Sequence, residues 1–259
     1  MRCESPRCGA EIPLVRSFWL CKKANRKYAL RYDVLDGSPP EIAFEVFKPK
    51  RNTDVPTALV NNGRAICPAC SNVVPPSRVQ AQLTERGGGA DSSKLLAVIC
   101  IASSGRGREY RVPSQLDVEA IAGARARFMS LMQKESSTSE LSEPICPVRP
   151  SPNARGVSAP TRYGIRDFGG LFTPRQRLVL LTFAELIRNA EATVAARHLL
   201  ALTLNKVAMQ CTAHCRWKAS GESLVDMFGR HAISMVWDFA ESVPCLLYTS
   251  DAADELDGV

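Results

Sequence analysis

A chain of 259 residues with 45% hydrophobic and 23% charged side chains carries enough apolar mass for one or two folded domains, which argues against a low-complexity or disordered polymer. No apolar run approaches the roughly 18 residues of a membrane-spanning helix, and the opening MRCESPRCGA lacks the apolar stretch of a secretion signal, so a soluble, cytoplasmic protein without membrane partners is expected. Ten cysteines in such a chain read as metal ligands and buried thiols, because a reducing compartment does not sustain a disulfide framework.

The formal charge of +7 is unevenly spread. In residues 22–31, KKANRKYALR, five of ten positions are Lys or Arg and none is acidic. A second basic stretch runs from Arg149 to Arg177 through Arg155, Arg162, Arg166 and Arg175, opposed only by Asp167. Such clusters suit phosphate contacts, with Lys22, Lys23, Arg26, Lys27, Arg162, Arg166 and Arg175 as candidates for touching nucleic acid. The same clusters also serve as a solvated face that keeps a protein soluble, and composition does not choose between these readings.

In chain order, Cys3 and Cys8 open a turn that closes on Pro13, with Gly9 supplying backbone freedom directly after the second thiol. Tyr28–Leu35 and Ile42–Phe47 alternate as strands around the turn Asp36-Gly-Ser-Pro-Pro40. Ala58–Val60 and Arg64–Cys67 flank Asn61-Asn62-Gly63, a hairpin turn that delivers Cys67. Cys67 and Cys70 then open a second turn, closing on Pro75. Two thiol pairs on tight knuckles, Cx4C and Cx2C, joined by a β excursion form the ligand set of a zinc ribbon, with four sulfurs about 2.3 Å from a tetrahedral Zn²⁺. A site closed by Cys3, Cys8, Cys67 and Cys70 is structural, since no position remains for a catalytic water.

Further on, Leu95–Ile101 reads as a buried strand and Glu109–Val112 as its partner. Ser114 with Asp117 caps a helix running to about Lys134, with Val118, Ile121, Ala122, Phe128, Met129 and Met132 on one face interrupted by Arg125. Residues 135–162 shift to Ser and Pro and read as a linker. Thr173-Pro174 then starts a helix expected to bury Leu178, Leu181, Phe183, Leu186 and Ile187. A second helix is expected from about Glu191 to Met209, a third from near Ser220 and a fourth from near His231.

Cys211-Thr-Ala-His214-Cys215 is a weaker metal candidate: three ligands would share a helical face with no obvious fourth, and small thiols and a histidine packed in a helix explain them better. His198 and His231 stand alone and read as packing or surface residues. Tyr28, Tyr163 and Trp217 sit among basic residues, where they either stack on bases or pack in the core. No nucleophile elbow and no GxxxxGK[ST] loop is present.

Four stretches, CESPRCGAEIPLVRSFWLCKK, AICPACSNVVP, YGIRDFGGLFTPRQ and RW followed by FGRHAISMVWDFAE, together resemble the interior of the large adenine-specific DNA methyltransferases that carry a zinc ribbon, the group holding the uncharacterised domain numbered 1156. The likeness runs over residues 1 to about 243. It implies methyl transfer from S-adenosylmethionine to the exocyclic amine of a flipped-out adenine, with Cys3, Cys8, Cys67 and Cys70 as the ribbon ligands. Ser71 stands where that family favours glycine after the last ligand. The glycine-rich cofactor loop and the Asp-Pro-Pro-Tyr loop of such enzymes have no counterpart here: the Pro-Pro pairs are Ser38-Pro-Pro-Glu41 and Val74-Pro-Pro-Ser77. The resemblance therefore makes this chain the middle of an enzyme, with structural Zn²⁺ of its own, S-adenosylmethionine bound only by the full-length parent, and DNA and the missing catalytic part as partners. A freestanding zinc-ribbon module that binds nucleic acid without catalysis is the other reading. The final CLLYTSDAADELDGV does not continue the family pattern and reads as adapter-derived sequence joined to a truncated frame.

The expected fold class is α+β: a zinc ribbon with a β insertion (1–76), a β-hairpin plus helix (77–134), the linker (135–162), a helical unit (163–244) and a non-native tail (245–259), as the middle of a larger α/β methyltransferase.

Overall fold

The computed structural model describes residues 1–103, 107–134, 142–145, 160–225, 227–228 and 233–244. Within them the chain mixes α and β, with four α-helices and ten short strands, all antiparallel. It divides into two compact units. The first comprises Met1–Ala120, Arg162–Gly164 and Trp217–Ser223, and the second Ile121–Thr161, Ile165–Arg216 and Leu224–Val259.

The first unit is built on a three-stranded meander of β1 (Trp19–Lys22), β2 (Lys27–Leu35) and β3 (Glu41–Phe47). β2 pairs β3 without slippage from Ala29 opposite Phe47 to Leu35 opposite Glu41, as the alternation predicts. β1 was not legible as a strand, and its register breaks between Trp19 and Cys21. Val15, Phe18, Leu20, Leu30 and Leu59 form the core beneath it, with Tyr32, Phe44 and Val46 packed alongside. Burial of each large apolar side chain there is worth about 1.5–3 kcal/mol.

A second small sheet joins β4 (Val60–Asn61), β5 (Arg64–Ile66) and β6 (Val73–Val74). Asn62 and Gly63 turn β4 into β5 with φ of 49° and 77°, the positive values that their short or absent side chains permit. Helix α1 (Pro76–Thr84) follows at once, with Pro76 at its first position and Val79 and Leu83 buried one turn apart. Gly87, Gly88 and Gly89 form the loop that ends it, all at positive φ. β7 (Val98–Ile101) and β8 (Arg108–Arg111) pair as expected, though β7 is not the buried strand its composition announces: Ile101 is 57% exposed.

Helix α2 (Gln115–Lys134) starts at the expected Ser114, whose backbone N–H and hydroxyl both donate to the Asp117 carboxylate. Of its expected apolar face only Phe128 is buried, and Val118 and Met129 are about half exposed at 49% and 51%.

In the second unit, α3 (Pro174–Arg188) begins on Thr173, whose hydroxyl accepts from the Gln176 N–H while the Gln176 side chain accepts from the Thr173 N–H. Helix α4 (Val194–Gln210) is capped by Thr193. The leucines of this pair are not the core. None of Leu178, Leu181, Phe183, Leu186 and Ile187 is buried, Leu186 is 61% exposed, and α4 buries no residue. The unit instead packs around Ile145, Ile165, Leu171, Met227 and Ile233. The helix expected near Ser220 is a hairpin, β9 (Arg216–Lys218) and β10 (Ser223–Val225). His231 lies outside the described residues, and residues 233–240 contain no helix. The expected linker falls largely outside the described residues, as does the tail from Cys245 onward.

Candidate metal centre

Each of the two expected knuckles is a closed loop of backbone hydrogen bonds. In the first, the Cys3 N–H donates to the Ala10 carbonyl, the Cys8 N–H to Ser5 and the Ile12 N–H to Met1. In the second, the Cys67 N–H donates to Asn72 and the Ser71 N–H to Cys67. The residue after each second cysteine is left-handed, Gly9 at φ 62° and Ser71 at φ 59°. The two loops thus share a geometry although only one carries the residue suited to it.

Folding brings the four thiols together across 67 residues of sequence. Cys3 Sγ lies 3.6 Å from Cys70 Sγ, and Cys8 Sγ lies 3.7 Å from Cys67 Sγ. All four sulfurs fall within 4.8 Å of one another. These separations are far above the roughly 2.05 Å of a disulfide. A tetrahedral ion with metal–sulfur bonds of about 2.3 Å places its ligands about 3.8 Å apart, close to the separations seen. The donor set fits a metal ion, and among the described residues it is the one group of three or more Cys, His, Asp or Glu that does.

Cys3, Cys8 and Cys67 are buried and Cys70 is exposed. Burial pushes the Cys67 thiol up to about 12 and raises that of Cys3, whereas the Asn72 N–H bonded to the Cys70 sulfur brings that thiol down to about 7. Four sulfurs this close, three of them buried, cannot all be ionised without a cation among them, and a metal ion held there would supply that charge.

Helix α1 braces the site. Arg78 holds the Glu4 carboxylate in a fork, with contacts of 2.8 and 3.0 Å, and Gln82 donates to both Glu4 and the Arg2 carbonyl. The pairing fixes the first knuckle against the element that follows the second. Nothing in the sequence announced it beyond the proline at the head of α1 and two apolar residues four apart.

The weaker candidate dissolves. Helix α4 ends at Gln210, and Cys211, with φ −110° and ψ 55°, has left the helix, so Cys211, His214 and Cys215 share no helical face. His214 Nδ1 is bonded to the Ser234 carbonyl at 2.9 Å, and the Cys215 thiol donates to Met209. All three side chains are buried. They are packing residues.

The basic candidates separate into two kinds. Lys23 and Arg26 both contact Glu222, a carboxylate with 3% exposure that also accepts from Tyr110. Burial alone would raise Glu222, but the hydrogen bonds from Lys23 and Arg26 outweigh it and hold the carboxyl below its usual range. Arg175 forks onto Glu241 at 2.7 and 2.9 Å, an opposing charge the local sequence did not show. Lys22, Arg162 and Arg166 are exposed, with the Lys22 ammonium 5.0 Å from the Trp19 ring centre, and Lys27 is half-buried. Arg149 and Arg155 lie outside the described residues.

The aromatic candidates are largely engaged. Tyr28 stacks on Tyr110 at 4.6 Å, and Trp217 donates its indole N–H to the Leu20 carbonyl with Arg108 over its ring. His198 is exposed on α4.

No protein-family model, curated protein or solved structure matches the chain. No helix among the described residues is long and apolar enough to cross a membrane.

Proposed function

We propose that Cys3, Cys8, Cys67 and Cys70 hold one structural Zn²⁺ in a ribbon-type module, and that this module, with the helical unit, is the DNA-facing middle part of an S-adenosylmethionine-dependent DNA adenine N6-methyltransferase. The observation that carries the metal reading is the convergence of four sulfurs within 4.8 Å of one another, two pairs of them at tetrahedral-edge spacing, on two matching knuckles. Four thiolates with no fifth donor favour zinc or a single iron, and the absence of an open position makes the ion a clamp. The assignment to a methyltransferase rests on the ordered motifs from CESPRCGAEIP to WDFAE. It gains support from α3 and α4, whose exposed Leu186, Leu199 and Leu202 are what a domain presents to a further body of protein.

Elemental analysis of the purified chain tests the metal. One zinc per chain is expected, falling to none in the Cys67→Ser, Cys70→Ser double variant, and a metal-free wild-type protein sinks the proposal. For the parent enzyme, the adjoining coding sequence is expected to encode a glycine-rich cofactor loop upstream and an Asp-Pro-Pro-Tyr loop downstream. The chain alone transfers no methyl group from S-adenosylmethionine to duplex DNA; measurable transfer would place the active site within it, against this reading.

A freestanding nucleic-acid-binding ribbon is the second reading. What favours it is that the cysteine cluster and a hydrophobic core of its own both lie in the first unit. An intact reading frame lacking both loops would decide for it.

A further inference from the structure

The end of β3 and the turn between β1 and β2 enclose an open-sided cleft of about 530 Å³, lined by Asn25, Arg26, Lys27, Tyr28, Lys48 and Lys50 among others. The β2–β3 register explains the convergence. Ala29 faces Phe47, so the residues preceding the one and following the other must run on side by side, which brings Lys48 and Lys50 against Tyr28 and Lys27. No acidic side chain lines the cleft. The nearby carboxylates are committed elsewhere: Asp54 accepts from the backbone N–H groups of Lys50 and Arg51 and from the Arg51 side chain, and Glu222 takes Arg26 and Lys23. Among the described residues, Lys27, Lys48 and Lys50 have no carboxylate within ion-pair distance.

The cleft is thus charged but offers little for stacking. Tyr28 gives its ring to Tyr110, and the Lys48 ammonium stands 5.2 Å from the centre of the same ring. Three unpaired ammonium groups, with an exposed amide at Asn25 and no free aromatic face, suit an anion read for its charge and not a base read for its edges. A wall of lysines is also wrong for the mostly apolar pockets that take drug-like molecules.

We propose that Lys27, Lys48 and Lys50 seat the sugar–phosphate backbone of duplex DNA in this cleft, an inference that rests on the DNA-facing reading above and moves its centre from Lys23 and Arg26 to Lys27 and the residues after β3. Such contacts are independent of sequence, and each released counterion steepens the salt dependence of binding.

The test titrates the full chain with a random-sequence duplex over a range of salt, alongside Lys27→Gln/Lys48→Gln/Lys50→Gln and Lys27→Arg/Lys48→Arg/Lys50→Arg triple variants of equal metal content. Loss of three phosphate contacts flattens the slope of log K against log salt by about 2.7, at 0.9 per contact, and the arginine variant restores it. If the wild type binds but the glutamine variant keeps the wild-type slope, DNA meets the chain elsewhere: the seat is wrong and the DNA-facing reading survives. A wild type without salt-dependent binding overturns both. Inorganic pyrophosphate is the second probe; if the glutamine variant loses pyrophosphate while its DNA slope is unchanged, the cleft takes a small free anion and the proposal fails.

Discussion

Cys3, Cys8, Cys67 and Cys70 in the first unit and Cys211, His214 and Cys215 in the second are made of the same ligand chemistry and end in opposite arrangements. In the first, each thiol is presented by a turn whose hydrogen bonds point the sulfur inward, and two turns meet. In the second, the backbone leaves α4 at Cys211, His214 Nδ1 is bonded to the Ser234 carbonyl and the Cys215 thiol donates to Met209. Burial pushes the Cys211 thiol up to about 12, the state of an inert packing thiol. Spacing alone does not make a site; the local fold must turn several donors toward one point.

The largest effect separates the two clusters directly. Replacing Cys67 and Cys70 by serine should remove the proposed metal, and with it folding free energy on the order of 10 kcal/mol. The outcome should be a first unit with collapsed amide protection around both knuckles. The Cys211→Ser, Cys215→Ser variant should keep its full metal content. Hydrogen exchange with metal analysis reads both, and a drop in metal in the second variant would undo the contrast.

The next effect comes from Glu222, which ties the β9–β10 turn to β1 and β2 through Lys23, Arg26 and Tyr110. Breaking a fully buried ion pair costs about 3–5 kcal/mol, but Lys23 and Arg26 are 45% and 34% exposed and can turn to water. Glu222→Gln should therefore cost about 2 kcal/mol, measured by denaturant unfolding. Because the folded-state pKa of Glu222 is depressed, its contribution is present above the ordinary glutamate range and is lost as pH falls through that range and below.

The second unit should respond to acid earlier. Desolvation lowers the pKa of His214, so the folded protein resists a proton that the unfolded chain accepts near pH 6.5. Its stability is complete above that value and declines as pH drops below it, by at most about 1.4 kcal/mol per pH unit. Trp237 fluorescence, with Trp19 and Trp217 changed to Phe, follows this unit; a transition midpoint flat between pH 7 and 5 would refute the assignment.

The same contrast shows what could be read from sequence. The knuckles, the Asn62-Gly63 turn, the Ser114 and Thr173 caps and the β2–β3 pairing are local devices, each specified by residues within a few positions, and each was legible. The β9–β10 hairpin was not, because its anchors are remote: Trp217 bonds the Leu20 carbonyl, 197 residues away, and Glu222 reaches Lys23 and Arg26. Periodicity marked α3 and α4 correctly as helices but could not say which face the rest of the chain covers, so Phe183 and Leu186 were placed inside and lie outside. The brace of Arg78 and Gln82 on Glu4 was hidden for the same reason, since it joins residues more than 70 positions apart.

The smallest predicted effect compares the two knuckles with each other. Gly9 and Ser71 occupy equivalent positions at φ 62° and 59°, yet only glycine adopts that conformation without the clash of a Cβ against the following carbonyl. A Cβ added at Gly9 would meet only the Pro39 side chain, at an ordinary 3.6 Å, so the cost of Gly9→Ala is conformational and amounts to about 1 kcal/mol. Ser71→Gly should run the other way, tightening the second knuckle by up to about 1 kcal/mol less the entropy a glycine adds to the unfolded chain. A competition titration against a zinc chelator compares the variants. Equal affinities for Gly9→Ala and wild type would mean that the metal, not the backbone, sets the geometry of the turn.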